Sequence, residues 1–199
     1  TLARIVMGFT APDSGEVLFE GRAVTRLPMH QRARLGMGYL TQEPSVFRNL
    51  SVEDNIKAVL EMSGLSKADQ AERLETLLNE FGLQRIRKSK GIQLSGGERR
   101  RTEIARALAL KPKFILLADP FAGVYPIAVE DIQDIVSKLK DKNIGIVITD
   151  HNVHETLAIT DRAYLLFEGR ILMSGTSAQL AEDEHVRKVY LGKNFELRK

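Results

Sequence analysis

Two short apolar runs constrain this chain more than any other feature. Phe114-Ile115-Leu116-Leu117 and Ile144-Gly145-Ile146-Val147-Ile148-Thr149 carry almost no polar residues, the pattern of strands covered on both faces. Between them, Ile127 to Leu139 spaces its apolar residues as one face of a helix does. Strand, helix, strand predicts an α/β fold with a mostly parallel sheet flanked by helices.

The same alternation stands on either side of a helical interruption. Glu16–Glu20 reads as a short strand with a turn at Gly21-Arg22, and Leu35–Leu40 as a second strand ending at Thr41-Gln42-Glu43-Pro44. The chain then changes texture. Ser51-Val52-Glu53-Asp54 is a capping box that starts a helix running to Met62. Ser66 starts another, where Leu74, Leu77, Leu78 and Phe81 share a face and Gly82 ends the run. After residue 110 the α/β pattern returns. A helix is expected over Val153–Ile159, then a hairpin of Ala163–Phe167 and Arg170–Met173 about Glu168-Gly169, then a polar helical tail from Ala178 to Tyr190. The predicted division is therefore an α/β core of residues 1–43 and 111–199, with residues 44–110 inserted as a helical subdomain.

Composition removes several classes of function. The 199 residues contain no cysteine, which excludes a disulfide scaffold, a zinc–thiolate site, an iron–sulfur cluster and a cysteine nucleophile. No apolar run approaches the ~20 residues that cross a bilayer. With 29 basic against 26 acidic residues the positive excess is mild, more the mark of a solvated surface than of a nucleic-acid site.

The segment richest in chemistry is Leu94-Ser95-Gly96-Gly97-Glu98-Arg99-Arg100-Arg101. Two glycines permit close backbone approach, and a helix beginning there offers free N–H groups and the positive end of its dipole to an anion. The Ser95 hydroxyl is a donor for a phosphate oxygen. Read alone, the segment is equally an ordinary helix start.

It is followed by Arg106-Ala107-Leu108 and by the strand Phe114–Leu117 closing on Asp119-Pro120. In this order, with Gln42 after one strand and His151 after another, the chain resembles the ATP-binding subunits of ABC transporters. The resemblance implies a P-loop NTPase fold with ATP and Mg²⁺ as cofactors. Ser95, Gly96, Gly97 and Glu98 would then form the signature turn, which binds the nucleotide held by the other subunit of a head-to-tail homodimer. Gln42 would ligate Mg²⁺ and sense the γ-phosphate, and His151 would contact the γ-phosphate and the attacking water. Membrane-spanning subunits would dock on the helical subdomain near Pro44–Arg48 and Leu50–Glu61. The protein would be cytoplasmic and peripheral on the inner membrane, and nucleic acid is not an expected partner.

Several phrases narrow the resemblance. Arg26–His30, Pro120-Phe121-Ala122-Gly123, Pro126-Ile127-Ala128, Asp150-His151-Asn152 and Val189–Gly192 are similar to the branch that serves lipopolysaccharide export, and branched-chain amino-acid importers share some of them.

The sequence also departs from the family. The loop Gly-x-x-x-x-Gly-Lys-[Ser/Thr] is absent, and family spacing to Gly8 places Thr1 just after its Lys and Mg²⁺-binding hydroxyl, among the nucleotide-binding residues of an N-terminally truncated core. Leu117-Ala118-Asp119-Pro120 stands where the family has two carboxylates before the proline. Ala118 occupies the Mg²⁺-shell position, and Asp119, one methylene short of glutamate, the general-base position. Tyr125 replaces an aspartate. These changes leave two expectations open: an ATP-hydrolysing subunit, or a catalytically impaired docking or regulatory module of the same fold.

Overall fold

The computed structural model describes residues 1–188, which fall into two compact units, Thr1–Thr149 and a second beginning at Asp150. The first unit is organised by three parallel strands, β3 (Met37–Leu40), β4 (Phe114–Ala118) and β5 (Gly145–Thr149), with β4 in the middle. Met37 lies opposite Phe114 and Leu40 opposite Leu117, while Ala118 faces Thr149. Parallel strands need long crossovers. That from β3 to β4 contains α3 (Val52–Leu60), α4 (Lys67–Glu80) and α5 (Gly96–Ala107), and that from β4 to β5 contains α6 (Pro126–Asp141). The three strands therefore end on the same edge, where α/β sheets bind ligands.

The two apolar runs behave differently. Ile115, Leu116 and Leu117 of β4 are buried, as expected. In β5, by contrast, Val147 is 44% exposed. The expectation that Ile144–Thr149 is covered on both faces is corrected: β4 pairs on two sides and β5, among the described residues, on one.

Ahead of the sheet, α1 (Leu2–Met7) precedes a small hairpin of β1 (Leu18–Phe19) and β2 (Arg22–Ala23), and then α2 (Met29–Arg34). Buried Arg32 of α2 ties these pieces together. Its guanidinium donates to the carbonyls of Ile5 (2.8 Å) and Val6 (2.6 Å) at the end of α1, and to those of Thr25 (2.7 Å) and Leu27 (2.8 Å). A Cβ at Gly8 (φ 83°) would lie 2.8 Å from Arg32 Nε, so both dihedral and space require glycine there.

Residues 44–110 are helical, as the texture predicts. Ser51 and Ser66 cap α3 and α4 by accepting from the N–H groups of Asp54 and Asp69. Leu74, Leu77 and Leu78 of α4 are buried together with Phe81, Ile56 and Leu60.

The second unit comprises α7 (Val153–Ile159), the hairpin β6 (Ala163–Phe167) and β7 (Arg170–Gly175), α8 (Ser177–Glu182) and α9 (Glu184–Val186). Glu168 and Gly169 both have positive φ (46° and 76°), the signature of a two-residue type I′ turn. Leu157, Leu165, Leu180 and Val186 form its core. The predicted tail helix breaks at Asp183, and Val189-Tyr190 and the phrase Val189–Gly192 lie outside the described residues. No helix among the described residues is long and apolar enough to cross a membrane.

Candidate functional site

The signature turn is built locally. Ser95 caps α5: its hydroxyl accepts from the Glu98 N–H (3.3 Å), and the Glu98 carboxylate accepts from the Ser95 N–H and hydroxyl, both at 2.8 Å. The backbone N–H of Ser95, then its hydroxyl, hold the Glu98 carboxyl below the usual carboxylate range; burial opposes and Arg101 assists. The hydroxyl expected to meet a phosphate is thus engaged with Glu98 in this state, while the residue itself is exposed.

The two glycines have an internal explanation. A Cβ at Gly96 would lie 2.4 Å from the Gly123 carbonyl oxygen, and one at Gly97 3.0 Å from the Ala128 Cβ. Neither has positive φ, so space rather than dihedral freedom demands glycine. The close approach expected toward another molecule is here made to the chain's own segment following β4, which brings the signature turn beside Gly123.

The arginine triplet is not one basic patch. Arg101 pairs with Asp131 (3.1 Å). Arg100 turns inward, its side chain only 4% exposed, and uses all five donors. Nε donates to the Pro120 carbonyl (3.0 Å), and Nη2 to those of Ala118 (2.8 Å) and Asp119 (2.7 Å). Nη1 reaches the Thr41 carbonyl (2.8 Å) and the Glu103 carboxylate (3.2 Å). Burial lowers its pKa, and Glu103 opposes that shift. The sequence alone does not single out this residue, and nothing in the local sequence separates Arg100 from its neighbours.

Through that guanidinium the segments carrying Gln42 and Asp119 are fastened side by side at the carboxyl edge of the sheet. Gln42 lies just past β3 in a turn where the Thr41 hydroxyl donates to the Glu43 carbonyl (2.6 Å). The Gln42 side chain is exposed. Asp119 directly follows β4 with φ 45°, a left-handed conformation that aspartate adopts more readily than most residues, and its N–H donates to Thr149 (2.7 Å). Ala118, buried, contributes only a methyl group. Tyr125 at the start of α6 is 76% exposed.

Two further candidates complete the set. Thr1 precedes α1 without a capping bond from its side chain. His151 belongs to the second unit, where the Asp150 carboxylate accepts from the Asn152 N–H (2.7 Å) and lies 3.7 Å from His151 Nδ1. The imidazole is exposed.

Beyond Gln42 the chain forms a pinned surface loop. Phe47, 50% exposed, has its N–H bound by Asn55 Oδ1 (2.7 Å) and its carbonyl by Asn55 Nδ2 (3.1 Å). The Arg106 guanidinium lies 5.0 Å from the centre of its ring. Arg106 also donates to the Ser45 hydroxyl (2.6 Å).

Comparison with known proteins identifies the family. Residues 1–122 match the ABC transporter family. The chain is 52% identical over 193 residues to the lipopolysaccharide export system ATP-binding protein LptB of Acidithiobacillus ferridurans, covering 97% of this chain and 80% of that protein. It is 50% identical over 194 residues to LptB of Escherichia coli K12, with the same coverage. A solved ATP-binding cassette of an ABC transporter superposes with a TM-score of 0.86 at 28% identity, over 96% of this chain and 83% of the other. With a family match over more than half its length and relatives half identical to it, the chain belongs to the ABC transporter family.

Proposed function

We propose that this protein is the ATP-binding and ATP-hydrolysing subunit of an ABC transporter that powers lipopolysaccharide export from the inner membrane. The observation that carries the ATPase reading is the convergence on Arg100: one guanidinium of the helix capped by Ser95 holds the segments of Gln42 and Asp119 together at the sheet edge. The export reading rests on relatives named for lipopolysaccharide export at about half identity.

In this reading residues 1–43 and 111–199 form the nucleotide-binding core, with Thr1 near the phosphates, and residues 44–110 the helical subdomain. Gln42 offers a hard oxygen donor that suits Mg²⁺, while Ala118, at the Mg²⁺-shell position, offers none. Mg²⁺, when bound, neutralises phosphate charge. Asp119 accepts the proton of the attacking water at its carboxylate, and His151 orients the γ-phosphate. Ser95, Gly96, Gly97 and Glu98 present N–H and hydroxyl donors to the nucleotide of a second copy in a head-to-tail homodimer. Membrane-spanning subunits dock on the helical subdomain near Pro44–Arg48, which includes the Phe47 loop, and Leu50–Glu61, holding the protein on the cytoplasmic face. A second reading, a docking module that binds ATP without hydrolysing it, is favoured by Ala118 and by the short Asp119 carboxylate.

Magnesium-dependent phosphate release by the protein with its membrane-spanning partners tests both. Hydrolysis that falls about 100-fold or more in Asp119→Asn supports the motor. Wild-type turnover in that variant overturns the role of Asp119, and ATP binding without turnover establishes the docking module. Lipopolysaccharide that stays in the donor membrane while ATP is consumed overturns the export reading alone.

A further inference from the structure

The stretch from Thr41 to Val46 is held at both ends by two charged side chains one turn apart on α5. Arg100 takes the Thr41 carbonyl (2.8 Å). The same oxygen of Glu103, Oε1, accepts from the N–H of Ser45 (2.6 Å) and of Val46 (3.1 Å), while Oε2 accepts from Arg100 (3.2 Å). Gln42 lies between the two anchors. The guanidinium simultaneously grips Ala118, Asp119 and Pro120. One turn beyond Glu103, Arg106 lies over the Phe47 ring and holds Ser45.

We infer that Glu103 is a positioning residue that ties the partner-docking loop, Ser45–Phe47, to the carboxyl edge carrying Gln42 and Asp119, so that a change at either is felt at the other. This rests on the proposed docking of membrane-spanning subunits at that loop. The side chains of Arg100 and Glu103 are 4% and 1% exposed. Separating them would strand two buried charges in a medium of low dielectric constant, so the pair moves as one body rather than opening. Both oxygens of Glu103 are used, one on the loop and one on Arg100. A displacement of the Asp119 carbonyl is thereby passed through one guanidinium and one carboxylate to two adjacent amide groups. A carboxylate is the group that suits this place, because it accepts on both sides. A glutamine keeps the volume but presents one acceptor and one donor, and its NH₂ cannot accept from a guanidinium or from an amide.

Coupling between two sites is a free energy that must appear reciprocally in both affinities. The test measures ATP affinity of the full protein with and without its membrane-spanning partner in nanodiscs, for the wild type, Glu103→Gln and Phe47→Ala. The expected result is that the partner shifts wild-type ATP affinity by about fivefold or more, and that in Glu103→Gln this ratio falls to within about twofold of one. Each variant is its own reference, so a change in intrinsic affinity does not enter the ratio. A wild-type ratio in Glu103→Gln, together with weakened partner binding in Phe47→Ala, overturns the inference alone. Unchanged partner binding in Phe47→Ala overturns the docking reading and the inference with it. A second measurement does not depend on a folded variant: amide hydrogen exchange of the wild type with and without ATP and Mg²⁺. Altered protection of the Ser45 and Val46 amides on nucleotide binding supports the tie, and unaltered protection overturns it.

Discussion

The two halves of α5 solve the same problem differently. At its start, Ser95 and Glu98 satisfy one another within four residues, in the open, by a capping box. One turn later, Arg100 and Glu103 find their partners among residues 41 to 46 and 118 to 120 and are almost wholly buried. The first half needs only its own sequence to form. The second is meaningful only when β3, β4 and the loop after Gln42 are in place. A locally satisfied turn is free to rearrange on its own, whereas a guanidinium with five partners fixes the segments that carry Gln42 and Asp119.

Removing the buried side of this comparison has the largest expected effect. Arg100→Ala leaves the Glu103 carboxylate without its buried charge partner and removes the guanidinium's bonds to four carbonyls, and should destabilise the protein by about 3–5 kcal/mol in chemical denaturation. A loss under 1 kcal/mol would mean that water replaces the guanidinium and that the segments are held by other means. Next is the close packing between the turn and the segment after β4. Gly96→Ala places a Cβ against the Gly123 carbonyl and should destabilise by about 1–3 kcal/mol, with a fall in turnover from the displaced signature turn. Equal stability and turnover would show that the contact yields.

A third prediction asks whether the buried-charge logic extends to α3. Glu53 is held by Lys88, Arg87 and Lys57; the Lys88 bond is the main cause of its carboxyl lying at about 2 rather than 4.5, and burial opposes the shift. The native carboxylate therefore binds its proton at lower pH than the unfolded one. Its contribution is complete above pH 4.5 and is lost as the pH falls from there to about 2. Denaturation midpoints across that window should fall less steeply in Glu53→Gln than in the wild type, and parallel curves would remove Glu53 from the account. The smallest effect belongs to the open side. Ser95→Ala removes one cap and should destabilise by about 1 kcal/mol, well below Arg100→Ala. An equal loss would erase the distinction between the two halves of the helix.

How far the sequence could be read follows the same division. The helix starts at Ser51 and Ser95, the leucine face of α4 and the Glu168-Gly169 turn depend on residues a few positions apart, and each forms where the pattern predicts it; of the box predicted at Ser51, the half in which its hydroxyl accepts from the Asp54 N–H is formed. The apolar run at β4 is likewise legible. The same pattern misjudged β5, because composition reports what a strand tolerates and not how many neighbours it acquires. At the site, the order Gln42, Ser95, Asp119, His151 is written in the chain, but the reason the glycines are glycines is not. Only the folded chain puts the Gly123 carbonyl where a Cβ at Gly96 would stand.

By itself, then, the sequence determined the helix starts, the turns, the central strand and membership of the ABC transporter family, since each is carried by spacing along the chain. The tertiary structure alone decided which of three consecutive arginines is structural, why a helix interior holds a buried glutamate, and which backbone groups the pair binds. The physical reason is that a buried charge is tolerated only where enough partners converge on it. For Arg100 and Glu103 those partners come from segments that lie far apart in sequence and meet only on folding.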